Sequence, residues 1–261
     1  LRSDYLTSGP IVDQFEETIK NEFGCKYSTV VNSATSALHI SCLALGLGKN
    51  DILWTVPNTF VASANCAIYC NAQIDFVDID ENSNLISIEL LNKKLEIAKK
   101  NNKIPKILVP VHLTGQPTLQ EEIYNLSNEY GFKILEDASH SVGASRNKEP
   151  VGNCKWSHAT VFSFHPVKIV TSGEGGAVLT NDSELDKKCK LLRTNGINRD
   201  SSFFINKNKG PWYYEQQLLG YNYKLSDIHS ALGLSQLKKT SKFVVERNKI
   251  ANNYDNELKD L

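Results

Sequence analysis

Methionine is missing altogether from the 261 residues, the initiator included, and the opening LRSDYLTSGP holds no apolar core of the signal-peptide kind. The N-terminus is therefore expected to be clipped rather than natural. Neither sign of charge is in excess, since 29 lysines and arginines balance 29 aspartates and glutamates. That balance gives no electrostatic case for nucleic acid or an anionic membrane as partner. No apolar run approaches the roughly 20 residues of a membrane span. Cys25, Cys42, Cys66, Cys70, Cys154 and Cys189 form no CxxC pair, and the histidines show no paired metal-ligand spacing. Structural thiols in a reducing cytoplasm are expected, and a zinc site is not. No GxGxxG follows the first strand-like run, which excludes a dinucleotide binder of that type.

What is present is ordinary globular material, 41% hydrophobic and 22% charged, in a chain long enough to bury a sizeable core. Ile11, Phe15 and Ile19 recur at helical spacing behind Gly9-Pro10, predicting an amphipathic helix over 10–23 closed by Gly24. Then come a strand and helix in TVVNSATSALHISCLALGLG, strands in DILWTVP and QIDFVDID around a helical TFVASANCAIYC, and a helix in SIELLNKKLEIAKK. KILVPVHL reads as a strand, TLQEEIYNLSNEYG as a helix and KILEDASH as a strand. This alternation predicts an α/β fold with a mostly parallel central sheet and helices on both faces. Two strands then follow closely, ATVFSF and AVLTND, before the helix NDSELDKKCKLLRTNG. Residues 196–224 read as a long ordered loop, a length that usually has a function. From Ser226 to Leu261 the pattern is helical throughout.

Ligands of open α/β sheets bind beyond the carboxyl ends of the strands, and three segments put polar residues there. Asn32-Ser33-Ala34-Thr35 opens a helix, where unpaired N–H groups and the helix dipole suit an anion; a plain N-cap by Ser33 or Thr35 is the alternative. In LEDASH, Glu136 and Asp137 point to opposite faces, so one alone can serve a given site. A carboxylate at a buried strand end must be paired to stay charged, and His140 follows three residues later; capping of the next turn is the alternative. In SFHPVKIVTSGEGG, Lys168 stands between two apolar runs with Ser163 ahead of it. A partly desolvated amine there would be a usable nucleophile toward an aldehyde, unless Lys168 is a snorkelling surface lysine. An anion cradle, a strand-end carboxylate and an enclosed lysine together are what pyridoxal 5′-phosphate requires.

EDASHSVGA, SFHPVK…T-x-GEGGAV, RTNGI-x-RD and LGYNYKLSDIHSALGLSQL resemble the DegT/DnrJ/EryC1/StrS family of pyridoxal-phosphate-dependent nucleotide-sugar aminotransferases, over nearly the whole chain. The resemblance implies the type I, aspartate-aminotransferase-like fold. It also implies Lys168 as the Schiff-base lysine and Asp137 as the carboxylate on the pyridine nitrogen. His140 would lie on the ring's hydroxyl side and Phe60 would stack on the ring, where a core phenylalanine is otherwise the default. Ala34, Thr35 and Ser163 would hold the phosphate, with Asn222 reaching it from the other subunit of a homodimer. An asparagine flanked by Tyr221, Tyr223 and Leu225 is expected to be enclosed. NSATSALH, SFHPVK, W-x-YE and LGYNYKL point to members that move an amino group from L-glutamate to a UDP-4-keto-6-deoxy-N-acetyl hexosamine, in pseudaminic acid or related surface-sugar biosynthesis. Because Lys168 is present, transamination is expected rather than the dehydration of members with histidine there. The resemblance implies a large domain over 1–225 and a connecting helix over 226–261 leading to a small C-terminal domain that this chain does not include.

Overall fold

A computed structural model describes residues 4–206 and 210–259. Strands and helices alternate through its first half: α1 (Pro10–Phe23), β1 (Tyr27–Val31), α2 (Ala34–Ala44), β2 (Ile52–Thr55), α3 (Ala62–Tyr69), β3 (Gln73–Phe76), α4 (Ile88–Lys100), β4 (Ile107–Leu108), α5 (Gln120–Tyr130) and β5 (Lys133–Asp137). A small hairpin of β6 (Ser145–Arg146) and β7 (Glu149–Pro150) precedes β8 (Ala159–Ser163), β9 (Gly176–Thr180) and α6 (Ser183–Arg193). The short pair β10 (Ile197–Asn198) and β11 (Glu215–Gln216) and the helices α7 (Asp227–Leu237) and α8 (Thr240–Glu257) complete it.

Seven strands form one sheet in the order β1-β9-β8-β5-β4-β2-β3. All neighbours are parallel except at β9, which is antiparallel to both β1 and β8. The mostly parallel sheet read from the sequence is thus present. Strand alternation divides its side chains between two faces. Val31, Leu53, Ile107, Leu135, Val161 and Val178 pack with α2, α3 and α6. Their chain neighbours go the other way: Val30, Phe162, Ala177 and Leu179 meet α1 and α7, and Trp54, Leu108 and Ile134 meet α4 and α5. Buried on both faces, these strands read as apolar runs rather than alternating ones.

Helix α1 has the predicted bounds. Pro10 opens it, and Gly24 ends it in the left-handed region (φ 76°), its N–H donating to Lys20 O at 2.8 Å. Three sequence expectations need correction. KILVPVHL forms a regular strand only over Ile107–Leu108, as β4; past Pro110, which has no N–H to donate, it goes on as a single bridge from Val111 to Asp137. The loop read over 196–224 contains the β10–β11 pair; its residues 207–209 lie outside the described ones. The helical tail is broken at Lys238–Lys239 into α7 and α8, and residues 260–261 lie outside the described ones. Packing explains the break. α7 is held against α1, where a Cβ on Gly233 would come within 2.6 Å of the Phe15 ring. α8 turns away to pass over Gly143, where a Cβ would meet Thr240 Cγ2 at 2.7 Å.

Candidate active site

Four strand ends converge on one cavity of about 400 Å³. β1 leads into the turn at Ser33, where Ser36 N donates to Ser33 Oγ at 3.1 Å and Ser36 Oγ donates to Asn32 Oδ1 at 2.6 Å. The N-cap alternative for Ser33 is therefore correct, and it leaves Ala34 and Thr35 in the cavity wall. Gly176 pairs with Val31 on one side and Ser163 on the other. A Cβ there would lie 2.5 Å from Ala34 N, so only glycine lets the α2 N-terminus come this close to the start of β9.

Asp137 ends β5 with both carboxylate oxygens occupied. Ser63 Oγ donates to Oδ2 at 2.6 Å; Ser139 Oγ donates to Oδ1 at 2.6 Å and Ser139 N to the same oxygen at 3.2 Å. Glu136 faces away from the cavity, accepting hydrogen bonds from Gln120 Nε2 at 2.6 Å and Thr160 Oγ1 at 2.6 Å. The opposite facing of the two carboxylates follows from strand geometry.

Lys168 stands on the segment that turns β8 into β9. Phe164 and Val170, both fully buried, anchor that segment. Phe164 N donates to Gly175 O and Ser172 N to Phe164 O, each at 2.9 Å. The lysine is thereby carried back over the strand ends into the cavity rather than out to solvent. Burial lowers its pKa from the usual lysine value, and the nearby Asp137 carboxylate partly opposes that shift. His140 is pushed below the usual histidine range by burial and then by the Lys168 charge, against the pull of Asp137. Thr114 N donates to its Nδ1 at 3.2 Å, which leaves the proton of the neutral ring on Nε2.

Ala34, Thr35, Phe60, Asp137, His140, Ser163 and Lys168 all line this cavity. Phe60 is not a core residue; it is 71% exposed at the cavity. Asn222 lies elsewhere. Its backbone bridges Thr194, and its side chain is exposed, so the expected enclosure does not hold within the chain. The reason is alternation along an extended segment: Tyr221, Tyr223 and Leu225 turn inward and Asn222 outward. Sequence reasoning missed Ser63, Ser139, Thr59, His165 and Glu174, of which all but Ser63 line the cavity. Ser139, two residues after Asp137, carries a local turn signal. Ser63 carries none, since only the fold brings α3 beside β5.

The profile of the DegT/DnrJ/EryC1/StrS aminotransferase family matches residues 1–261. A UDP-4-amino-4,6-dideoxy-N-acetyl-beta-L-altrosamine transaminase of Campylobacter jejuni is 41% identical over 260 residues, covering 99% of this chain and 64% of the relative. An uncharacterised protein of Methanocaldococcus jannaschii is 36% identical over 261 residues, covering all of this chain and 65% of the relative. The chain thus spans slightly less than two thirds of those proteins. Among solved structures, Helicobacter pylori PseC, an aminotransferase of pseudaminic acid biosynthesis, superposes with TM-score 0.87 at 34% identity, covering 99% of this chain and 66% of that one.

Proposed function

Because this chain belongs to the DegT/DnrJ/EryC1/StrS aminotransferase family, with the α/β fold of a type I pyridoxal-phosphate-dependent transferase, we propose that its protein moves an amino group from L-glutamate to a UDP-linked 4-keto-6-deoxy-N-acetyl hexosamine. The observation that carries this reading is the convergence of Lys168, Asp137, His140 and the α2 N-terminus on one cavity. The residues fit pyridoxal 5′-phosphate. The α2 N-terminus offers unpaired N–H groups with small side chains, as a phosphate needs. Asp137 is 5% exposed and keeps an acceptor site on Oδ2 beyond those taken by Ser63 and Ser139.

In this reading Ala34, Thr35 and the Ser163 hydroxyl would hold the phosphate, and Asn222 of the partner subunit would add an amide. Asp137 would hold the ring nitrogen protonated, His140 would donate Nε2–H toward the ring hydroxyl, and Phe60 would cover one ring face. The bound cofactor supplies an aldehyde that condenses with amines and a ring that withdraws electrons from the adjacent carbon. Lys168 Nζ, whose proton affinity burial lowers, would be the amine that holds the cofactor and, once freed by the incoming amine, the base that carries a proton between the carbons flanking the substrate nitrogen. Residues 1–225 would be the cofactor-binding large domain, and 226–261 would lead toward a small C-terminal domain. The six cysteines, all free and buried among the described residues, suit the reducing cytoplasm. No helix among those residues is long and apolar enough to cross a membrane.

The test uses the full-length protein loaded with pyridoxal phosphate. L-glutamate alone should release one equivalent of 2-oxoglutarate per site, and turnover should then require the UDP-4-keto sugar. No 2-oxoglutarate would overturn the reaction class; turnover only with a different nucleotide sugar would overturn the substrate.

A further inference from the structure

The Asp137 carboxylate does not stand alone at the cavity floor. Ser63, in the first turn of α3 and fully buried, donates its hydroxyl proton to Asp137 Oδ2 at 2.6 Å. Thr59 Oγ1 lies 2.8 Å from Ser63 Oγ. A serine has one hydroxyl proton, and this one is committed to an acceptor-only carboxylate. The direction of the second bond follows: Thr59 donates to Ser63, which donates to Asp137. On the other oxygen, Ser139 fills Oδ1 with its hydroxyl and its N–H. A carboxylate has about four acceptor sites. Three are taken, and the vacancy is on Oδ2, the atom that Ser63 grips.

We propose that Ser63 is a positioning residue, which turns Asp137 so that the free acceptor of Oδ2 faces the ring nitrogen of the cofactor, with Thr59 fixing the direction of the hydrogen-bond chain. This rests on the pyridoxal-phosphate reading above. Without Ser63 the carboxylate would be held at Oδ1 alone and could rotate about its χ2, a torsion with broad, soft preferences. A carboxylate held by one edge presents its second oxygen over a range of angles, and a ring N–H needs a narrow one. The arrangement also ties two parts of the cavity together. Phe60 and Thr59 precede α3, so the hydroxyl that orients Asp137 and the aromatic ring at the cavity belong to one continuous segment.

The experiment measures cofactor affinity of the full-length protein by titrating the cofactor-free form with pyridoxal phosphate. Ser63→Ala should weaken binding about tenfold, corresponding to loss of a hydrogen bond to a charged group, while the KM for the sugar stays unchanged. Ser63→Thr should restore affinity. Ser63→Cys, nearly isosteric but a weak donor, should fall between, and it keeps the comparison open should the alanine variant misfold. Thr59→Val should give a smaller loss of the same sign. The decisive measurement is the cycle with Asp137→Asn. If Ser63 acts through the carboxylate, Ser63→Ala costs little further affinity in the Asp137→Asn protein, whereas full additivity of the two losses overturns the proposal. Unaltered affinity in both Ser63→Ala and Ser63→Cys overturns it as well. Failure of the unsubstituted protein to bind pyridoxal phosphate would instead overturn the cofactor reading on which the proposal rests.

Discussion

An aspartate that shares a cavity with a lysine shifts the lysine's proton affinity in a direction that can be measured. The Asp137 carboxylate favours the ammonium form of Lys168 and works against burial, which favours the amine. Removing that charge by Asp137→Asn should therefore lower the Lys168 pKa further. The neutral, reactive fraction grows as pH rises through the pKa, so the midpoint of Lys168 labelling should lie below that of an ordinary lysine and shift lower still in the variant. Competitive acetylation of the cofactor-free protein, read by mass spectrometry across pH, measures this directly. Lys93 provides an internal reference, because its hydrogen bond to Glu89 raises its pKa. A Lys168 midpoint at or above that of Lys93 would contradict the burial argument. At this scale much of the site was legible in the sequence. Strand parity separated Asp137 from Glu136, and the apolar runs on either side of Lys168 announced an enclosed amine. Ser63 was not legible, because its role depends on a contact across 74 positions of chain, and the outward turn of Asn222 depends on which way an extended segment is rolled.

The elements show the same division between local and distant causes. α1 could be bounded from Pro10 and Gly24 because helix ends are decided by the residues at them. Its N-terminus could not be fully read. Gly9 N donates to Asp227 Oδ2 at 2.8 Å and Ile11 N donates to Oδ1 at 3.3 Å, so the first helix is capped by the first residue of the seventh. Ser226, meanwhile, caps α7 itself, accepting from His229 N at 3.2 Å, as its position before an apolar helix suggests. The break between α7 and α8 is likewise set from outside the tail, by Phe15 on one side and Gly143 on the other. Asp227 is 4% exposed, so its loss leaves two N–H groups without their acceptor. Asp227→Ala should destabilise the fold by about 1–2 kcal/mol. For a domain of this size that lowers Tm by about 2–8 °C. Asp13→Ala, in the first turn of α1 itself but exposed, should cost clearly less in the same thermal melts. Equal losses would mean that α1 feels only the general charge at its N-terminus and not a specific cap.

At the scale of the whole molecule, the question is what covers the apolar surface beside the cavity. Phe60 is 71% exposed, Val61 60%, Ile68 54% and Tyr69 49%, and all four belong to α3 or the residues leading into it. From Tyr69 a run of ring contacts leads inward to the buried His39, at 5.3 Å, and on to the half-buried Tyr221, 4.7 Å from His39. Tyr221 adjoins Asn222, which points outward. Exposed apolar side chains grouped on one helix suit an interaction surface, and the outward Asn222 suits the proposed dimer, in which each subunit would lend an amide to the other's phosphate site. Such a C2 pairing is self-complementary, so each site would receive Lys168 from one chain and Asn222 from its partner. The prediction follows from that geometry. Full-length Lys168→Ala and Asn222→Ala proteins, each impaired alone, are unfolded together and refolded as mixed dimers. In every heterodimer one site then carries both substitutions and the other carries neither. With random pairing, about a quarter of the unsubstituted turnover should return, and it should scale with the heterodimer fraction seen by native mass spectrometry. If Asn222 served its own subunit, every heterodimer site would carry one defect, and verified heterodimers would show no recovery above the Asn222→Ala protein alone.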